Sequence, residues 1–244
     1  MDAIVILVGG KGTRVNNILK GKSKPEIEIG FKRKIIDFQL EKLIEHKKKI
    51  FFLSNIRFKS LKKYITKNYS NKINFEFIEE KEALGTAGCL KVLNKKKYNN
   101  FLIIDGDLIF NIDFKKFLKF HKTKNSDCTL FVHPNNHPYD SDAVEINEKL
   151  KVKKIFPKKK ILKPNLCLSG IRIIKKKMLN HIVLDKYQDF TDDFLKKIYK
   201  KKKNIYAYNS REYIKDVGTL NRIKQAKRDI KTNKFKLGTL QKKI

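Results

Sequence analysis

The sequence predicts an α/β fold, a mixed and mostly parallel sheet flanked by helices. Three observations carry this expectation. Residues 3–8 form an unbroken apolar, β-branched run that ends at Gly9-Gly10, the pattern of a strand buried on both faces. Similar short runs recur at 50–53, 101–104 and 130–132. Between them, apolar residues fall at helical spacing, first Ile36, Leu40, Leu43 and Ile44, then Leu61, Tyr64 and Ile65. Strands that alternate with helices build βαβ units, whose ligands sit at the C-terminal ends of the strands.

The later elements follow a different pattern. Past about residue 140, shorter strands are expected at 143–146, 152–156 and 166–174. A helix is expected near 190–199, a strand near 205–208 and a last helix from about 220. Residues 231–244 show no clear period and read as a basic tail. The 244 residues with 41% hydrophobic content suit one good-sized domain with a sizeable core, here placed at 1–230.

Charge says less about function than its size suggests. The chain carries 58 basic and 25 acidic residues, a formal net charge of +33. Seven of the basic residues are arginine, which leaves 51 lysines. Lysine, asparagine and isoleucine enriched together are what an AT-rich coding sequence yields. The charge therefore bears on solubility and non-specific association, not on a specific nucleic-acid ligand. Lysine runs at 47–49, 95–97, 175–177 and 200–203 read as solvated loops and helix ends. Cys89, Cys128 and Cys167 are too few and too far apart for a zinc knuckle or a disulfide framework, and they fit a reducing compartment. No run approaches the ~20 apolar residues of a membrane span, and the first residues lack a signal peptide's basic start and cleavage site. A soluble cytoplasmic protein is expected, with no membrane and no specific nucleic-acid partner; its oligomeric state is left open.

The first strand delivers Gly9-Gly10-Lys11-Gly12-Thr13-Arg14. Three glycines in four residues let the backbone wrap an anion, with N–H groups turned to phosphate oxygens. The spacing is neither Gly-x-Gly-x-x-Gly nor the P-loop, which excludes the two commonest phosphate motifs. Arg14 adds a guanidinium fork suited to phosphate, and Lys24-Pro25 follows ten residues on. Then come Leu84-Gly85-Thr86-Ala87-Gly88, Asp105-Gly106-Asp107 and Lys215-Asp216-Val217-Gly218-Thr219. Each has a plain structural rival. Asp105 and Asp107 follow an apolar strand and could cap a turn; two acids there in an acid-poor chain favour a metal for Asp107 and leave Asp105 structural. Lys24 is one lysine among 51, and 84–88 could be a loop entering a helix. His121, His133 and His137 read as structural.

In this order and spacing the five motifs resemble the sugar-1-phosphate nucleotidyltransferases, over residues 1 to about 230. The stretches 133–142 and 212–219 are similar to one branch in particular. It comprises nucleotidyltransferase domains fused to a heptose-bisphosphate phosphatase, related to D-glycero-D-manno-heptose-1-phosphate guanylyltransferases. The phosphatase's Asp-x-Asp-Gly-Thr motif does not occur here, so that second activity is expected to be absent.

The resemblance implies a Rossmann-like, glycosyltransferase-A-like fold with a nucleotide half at about 1–125 and a sugar-phosphate half at about 126–230. It also implies a reaction: a sugar 1-phosphate oxygen attacks the α-phosphorus of a nucleoside triphosphate, pyrophosphate leaves and an NDP-sugar forms. GDP-heptose or a similar nucleotide sugar for surface polysaccharide or lipopolysaccharide is the expected product. A mannose-1-phosphate guanylyltransferase or a glucose-1-phosphate nucleotidyltransferase is the alternative within the class, and a catalytically idle basic binding protein the alternative outside it. The nucleophile is already anionic, so what the site must supply is positioning and charge cancellation. By this resemblance Leu7, Gly9, Gly10, Gly12, Thr13, Gly85 and Thr86 bind the nucleotide. Arg14 holds the β,γ-phosphates and Lys24 sits by the α-phosphate or the sugar phosphate. Lys159, in the lysine run 158–160, and Gly170 meet the sugar phosphate. Asp107 and Asp216 converge on Mg2+, a hard cation suited to carboxylate and phosphate oxygens.

Three departures fall outside the phosphate loop. Leu168-Ser169-Gly170 stands where relatives carry Asn-Ala-Gly or Asn-Gly-Gly, and 156–160 lacks the Glu of Phe-x-Glu-Lys-Pro. Ala83 replaces a Pro. The triphosphate half is expected intact and the sugar half altered. Arg14→Ala should therefore raise the barrier by roughly 2–4 kcal/mol, about 30- to 1,000-fold in pyrophosphate release, without unfolding the chain. Near-normal turnover in that variant would contradict the phosphate-loop reading.

Overall fold

The computed structural model describes residues 1–10, 15, 19, 21–54, 58–134, 141–158 and 166–236. The first elements are β1 (Ala3–Leu7), β2 (Glu28–Gly30), β3 (Arg33–Lys34), α1 (Ile35–Ile44), β4 (Lys49–Ser54), α2 (Lys59–Tyr69) and β5 (Phe75–Glu79). Then come α3 (Gly85–Gly88), β6 (Asn100–Asp105), β7 (Leu108–Asn111), α4 (Phe114–Thr123), β8 (Cys128–Pro134), β9 (Ala143–Ile146) and β10 (Val152–Phe156). The last are β11 (Leu166–Lys175), α5 (Lys196–Lys200), β12 (Ile205–Asn209), β13 (Tyr213–Asp216) and α6 (Leu220–Lys231). Two compact units form, neither from a continuous stretch. The first takes residues 1–3, 83–103 and 113–211; the second takes 4–82, 104–112 and 212–244.

In the second unit β4 lies between β1 and β5. β4 and β5 run parallel, from Ile50 opposite Phe75 to Ser54 opposite Glu79. Gly106 N–H donates to the Leu7 carbonyl at 2.9 Å and Val8 N–H to that of Leu53 at 2.8 Å, which sets the C-terminal ends of β6, β1 and β4 side by side. β1 is apolar throughout because residues 3–6 are wholly buried. Two helices cover apolar surface with the spacing the sequence predicts: α1 buries Ile36, Leu40 and Leu43, and α2 buries Leu61 and Ile65. Asp37, third in α1, accepts from Lys34 N–H at the helix start, where a carboxylate complements the helix dipole. It also accepts from the hydroxyls of Tyr64 and Tyr69 on α2 at 2.8 and 2.7 Å, tying the two helices together.

Two features of this unit carry no sequence signal of the usual kind. β2 and β3 form a hairpin whose turn residues Phe31 and Lys32 both have left-handed φ, 50° and 54°. Such turns normally advertise themselves as Asn-Gly or Asp-Gly. Phe235, in the stretch without periodicity, is fully buried and meets Phe38 and Tyr213 edge-on at 5.6 and 5.5 Å. It completes a core with Ile29, Ile109, Val217 and the inner face of α6, Ile223, Ala226 and Ile230.

The first unit is mostly antiparallel. β10 pairs with β9, β9 with β11 and β11 with β8, all antiparallel, and β12 joins β8 in parallel. Its core packs Phe117 of α4 against Phe131 and Tyr208. All three cysteines are buried free thiols. Among the described residues no helix is long and apolar enough to cross a membrane.

His121, on α4, is a core histidine, as its sequence context suggests. Its Nδ1 lies 2.7 Å from Thr129 Oγ1, and burial foremost, with Lys175 nearby, pushes its pKa down to about 4. The folded state thus rejects a proton that the unfolded chain accepts near pH 6.5. This contribution to stability is complete above pH 6.5 and is lost as pH falls toward 4. The difference in unfolding free energy between wild type and His121→Gln should shrink from pH 7 to pH 4.5 in urea titrations. A difference that stays constant would contradict this account.

Candidate active site

The motif Asp105-Gly106-Asp107 forms the turn between β6 and β7, so Asp107 lies two residues past the strand end. Three restraints fix this turn. A Cβ on Gly106 would come within 2.6 Å of the Leu7 carbonyl oxygen and 3.0 Å of Pro25 Cγ, so only glycine lets the turn press against the end of β1. From α1, the wholly buried Gln39 sends its side-chain amide to the carbonyls of Asp105 and Leu108, at 3.0 and 2.9 Å. Val217 N–H donates to the Asp107 carbonyl at 2.8 Å.

That last bond comes from the residue just after β13, which runs antiparallel to β7 with Asp216 opposite Leu108. The pairing sets Asp216 beside Asp107 although the two are over a hundred residues apart. The back of β13 is anchored on α6, where Asp229 accepts from the Tyr213 hydroxyl at 2.8 Å and pairs with Lys215 at 2.7 Å.

Cations meet both carboxylates. Lys24 opens a short 3-10 turn, Lys24–Glu26, with Pro25 behind it. The turn is clamped by the buried Glu26, whose Oε2 accepts from Ser23 N–H, Ser23 Oγ and Ser60 Oγ, each at 2.9 Å. From there Lys24 Nζ reaches Asp107 Oδ2 at 2.5 Å. Arg222, in the first turn of α6, places Nη1 2.9 Å from Asp216 Oδ2, while the other Asp216 oxygen accepts from Gly218 N–H. The Asp216 carboxyl is held above its ordinary pKa, first by the protein packed around it and then by the charge of Asp107. Arg222, the Gly218 N–H and Lys24 pull it the other way. An influence of Asp107 on Asp216 fits the adjacency that the β13–β7 pairing sets.

In the first unit, Gly85 and Thr86 form a second built feature. Gly85 has φ +77°, and a Cβ there would lie 2.5 Å from the Gln188 carbonyl oxygen. Ala87 N–H donates to that same carbonyl, and Gln188 N–H returns a bond to the Leu84 carbonyl, both at 2.9 Å. Thr86 Oγ1 accepts from Phe190 N–H at 2.8 Å and donates to Asp189 at 3.1 Å. The threonine hydroxyl is therefore committed within the protein. Gly170, with φ +81°, sits where the β11–β8 register slips.

Of the expected site residues, Lys24, Asp107 and Asp216 are brought together, and Leu7 meets their turn through its carbonyl. Gly9 and Gly10 follow β1 after Val8. Gly12, Thr13, Arg14 and Lys159 lie outside the described residues. The sequence reading missed Gln39, Glu26, Arg222, Gln188 and Asp189. Only Arg222 carried a signal, as one of seven arginines in a chain of 51 lysines.

Residues 3–233 match the family model described as nucleotidyl transferase. A glucose-1-phosphate adenylyltransferase of Mycoplasma mobile is 30% identical, over 98% of this chain and 69% of its own length. That of Clostridium novyi is 28% identical over the same shares. Among solved structures, HddC from Yersinia pseudotuberculosis has a TM-score of 0.81 at 24% identity, covering 94% of this chain and all of its own. A putative glucose-1-phosphate thymidylyltransferase from Bacillus anthracis has a TM-score of 0.79 at 18% identity, covering 93% and 94%. At these identities the two structures show a shared fold.

The Gln39 clamp makes a stability prediction. Gln39→Leu strips the Asp105 and Leu108 carbonyls of the side-chain donor, which should cost about 1–3 kcal/mol in urea unfolding. An unchanged midpoint would mean that these bonds do not hold the turn.

Proposed function

This chain belongs to the nucleotidyl transferase family, and on that footing we propose that it joins a nucleoside triphosphate to a sugar 1-phosphate, releasing pyrophosphate and an NDP-sugar. One observation carries the reading: Asp107 and Asp216 set side by side at a strand end, with Lys24 on the first and Arg222 on the second. The attacking sugar phosphate needs no base. What opposes the reaction is repulsion between two phosphates, and cations at a strand end answer that need.

The residues fit a divalent ion. Two carboxylates supply hard oxygen donors, and among the described residues no group of three His, Cys, Asp or Glu side chains competes with them. Mg2+ characteristically takes one or two carboxylates and completes its shell with water and phosphate. Bound there, the ion supplies charge neutralisation on the phosphate oxygens. Lys24, delivered by a clamped turn, supplies a second positive charge to the phosphate undergoing substitution. Arg14 is assigned to the β,γ-phosphates, Lys159 and Gly170 to the sugar phosphate. The backbone of the Leu84–Gly88 turn is assigned to the base.

For the substrates, the stretches 133–142 and 212–219 favour GTP and a heptose 1-phosphate. The second reading is ATP and glucose 1-phosphate, favoured by curated relatives at 26–30% identity over nearly the whole chain. Pyrophosphate release with Mg2+, measured for four nucleoside triphosphates against heptose, mannose and glucose 1-phosphates, decides between them. Turnover greatest with GTP and heptose 1-phosphate supports the first reading, and turnover greatest with ATP and glucose 1-phosphate the second. No release from any pair would leave an idle binding protein, for which steeply salt-dependent nucleic-acid affinity is the mark.

The carboxylate pair makes its own prediction. Asp107→Asn and Asp216→Asn should each slow turnover on the order of 100-fold, about 2.7 kcal/mol. Because both would serve one ion, the double variant should be little slower than either single one. Multiplicative losses in single-turnover rates would contradict a shared ion.

A further inference from the structure

We infer that Arg222 is a built-in counter-ion that competes with the divalent metal for Asp216, so that the ion binds well only when it arrives with phosphate. The inference rests on the metal reading of Asp107 and Asp216 given above. Three observations carry it. First, among the described residues each of these carboxylates already has a cation on it: Lys24 lies on Asp107 at 2.5 Å and Arg222 on Asp216 at 2.9 Å. A divalent ion added to this arrangement leaves an excess of two positive charges in a partly buried place, unless a cation moves away or an anion enters.

Second, Arg222 occupies an unfavourable position for its own helix. α6 is 12 residues long, Thr219 is its N-cap, and Arg222 is the third helical residue. The first turn of a helix favours anions and disfavours cations, and α6 has no acidic residue there. The pairing with Asp216 offsets that placement, so the guanidinium is there for the site and not for the helix.

Third, the two Asp216 oxygens differ. Oδ1 is engaged by the backbone N–H of Gly218, which cannot leave without breaking the turn. Oδ2 is engaged by a long side chain, part-exposed on both partners, which can rotate away. The oxygen released by Arg222 is the one open to metal, and the freed guanidinium fork matches a phosphate. Arg222 thereby acts as a positioning residue, coupling metal affinity to the presence of phosphate.

Binding of Mn2+ to the full chain, followed by the EPR signal of the free ion, tests this without relying on activity. Two conditions are compared, Mn2+ alone and Mn2+ with inorganic pyrophosphate. Arg222→Gln should tighten binding of Mn2+ alone about tenfold, or ~1.4 kcal/mol, and should reduce the gain that pyrophosphate brings in the wild type. Arg222→Lys keeps the charge and should bind Mn2+ alone as weakly as the wild type, which also covers the case in which Arg222→Gln fails to fold. Unchanged or weaker Mn2+ binding in Arg222→Gln overturns the inference while leaving the metal reading intact, provided that Asp216→Asn weakens binding. If Asp107→Asn and Asp216→Asn both bind Mn2+ as the wild type does, the metal reading itself falls and takes this inference with it.

Discussion

Two carboxylates cannot be held side by side at a strand end unless positive charge stands beside them. In this protein that constraint organises everything around Asp107 and Asp216. Burial and mutual repulsion raise the Asp216 pKa, and Lys24, Arg222 and the Gly218 N–H oppose the rise. The fold spends several of its buried polar groups on this arrangement. Gln39 grips both sides of the Asp107 turn, Glu26 fixes the turn that carries Lys24, and Asp229 anchors the strand that carries Asp216. None of these three touches the neighbouring carboxylate oxygens in the contacts described. Their work is to hold the backbone segments from which the charged groups project, and a site defined to within a fraction of an ångström depends on such support.

The chemistry follows from the charge balance. A site for two anionic phosphates has to be rich in positive charge when occupied, yet stable when empty. Internal ion pairs meet the second requirement, since each cation has a carboxylate to rest on. In the proposed reaction, substrate phosphates offer Lys24 and Arg222 new partners at the moment the carboxylates are needed elsewhere. Charges more than about 8 Å away through solvent are largely screened at physiological salt, so cations placed on the carboxylates outweigh the high net charge of the chain. A few placed cations matter, Lys24 among them, and not the bulk of the 51 lysines.

Much of this was legible in the sequence. The continuous apolar run of β1 signalled a two-sided burial that the wholly buried residues 3–6 bear out. Helical spacing placed α1 and α2, a last helix was expected from about 220 where α6 begins, and the nucleotidyltransferase family was readable from five motifs in order. What stayed hidden had partners far away in the chain or broke a local rule. The β2–β3 turn puts Phe31 and Lys32 where glycine or asparagine is usual, so composition gave no hint of a hairpin. Phe235 is a lone aromatic beyond a helix, and its burial depends on Phe38 and Tyr213, residues of two other elements. Gln39 looked like any polar residue inside an amphipathic helix. Its role appears only once β6 and β7 are folded against it, 66 and 69 residues away in sequence. Thr86, expected at the nucleotide, has its hydroxyl occupied by Asp189 and Phe190, which no motif could reveal.

The central claim is that Asp107 and Asp216 hold one ion between them and that their resident cations turn to phosphate when it arrives. Its most direct test is a crystal structure of the protein soaked with Mn2+ and inorganic pyrophosphate, with anomalous difference density collected to locate the manganese. The account predicts a single strong peak within bonding distance of both carboxylates, with Lys24 and Arg222 directed at pyrophosphate oxygens. A peak bound by neither carboxylate, or the two ion pairs left intact beside a bound metal and pyrophosphate, would contradict it.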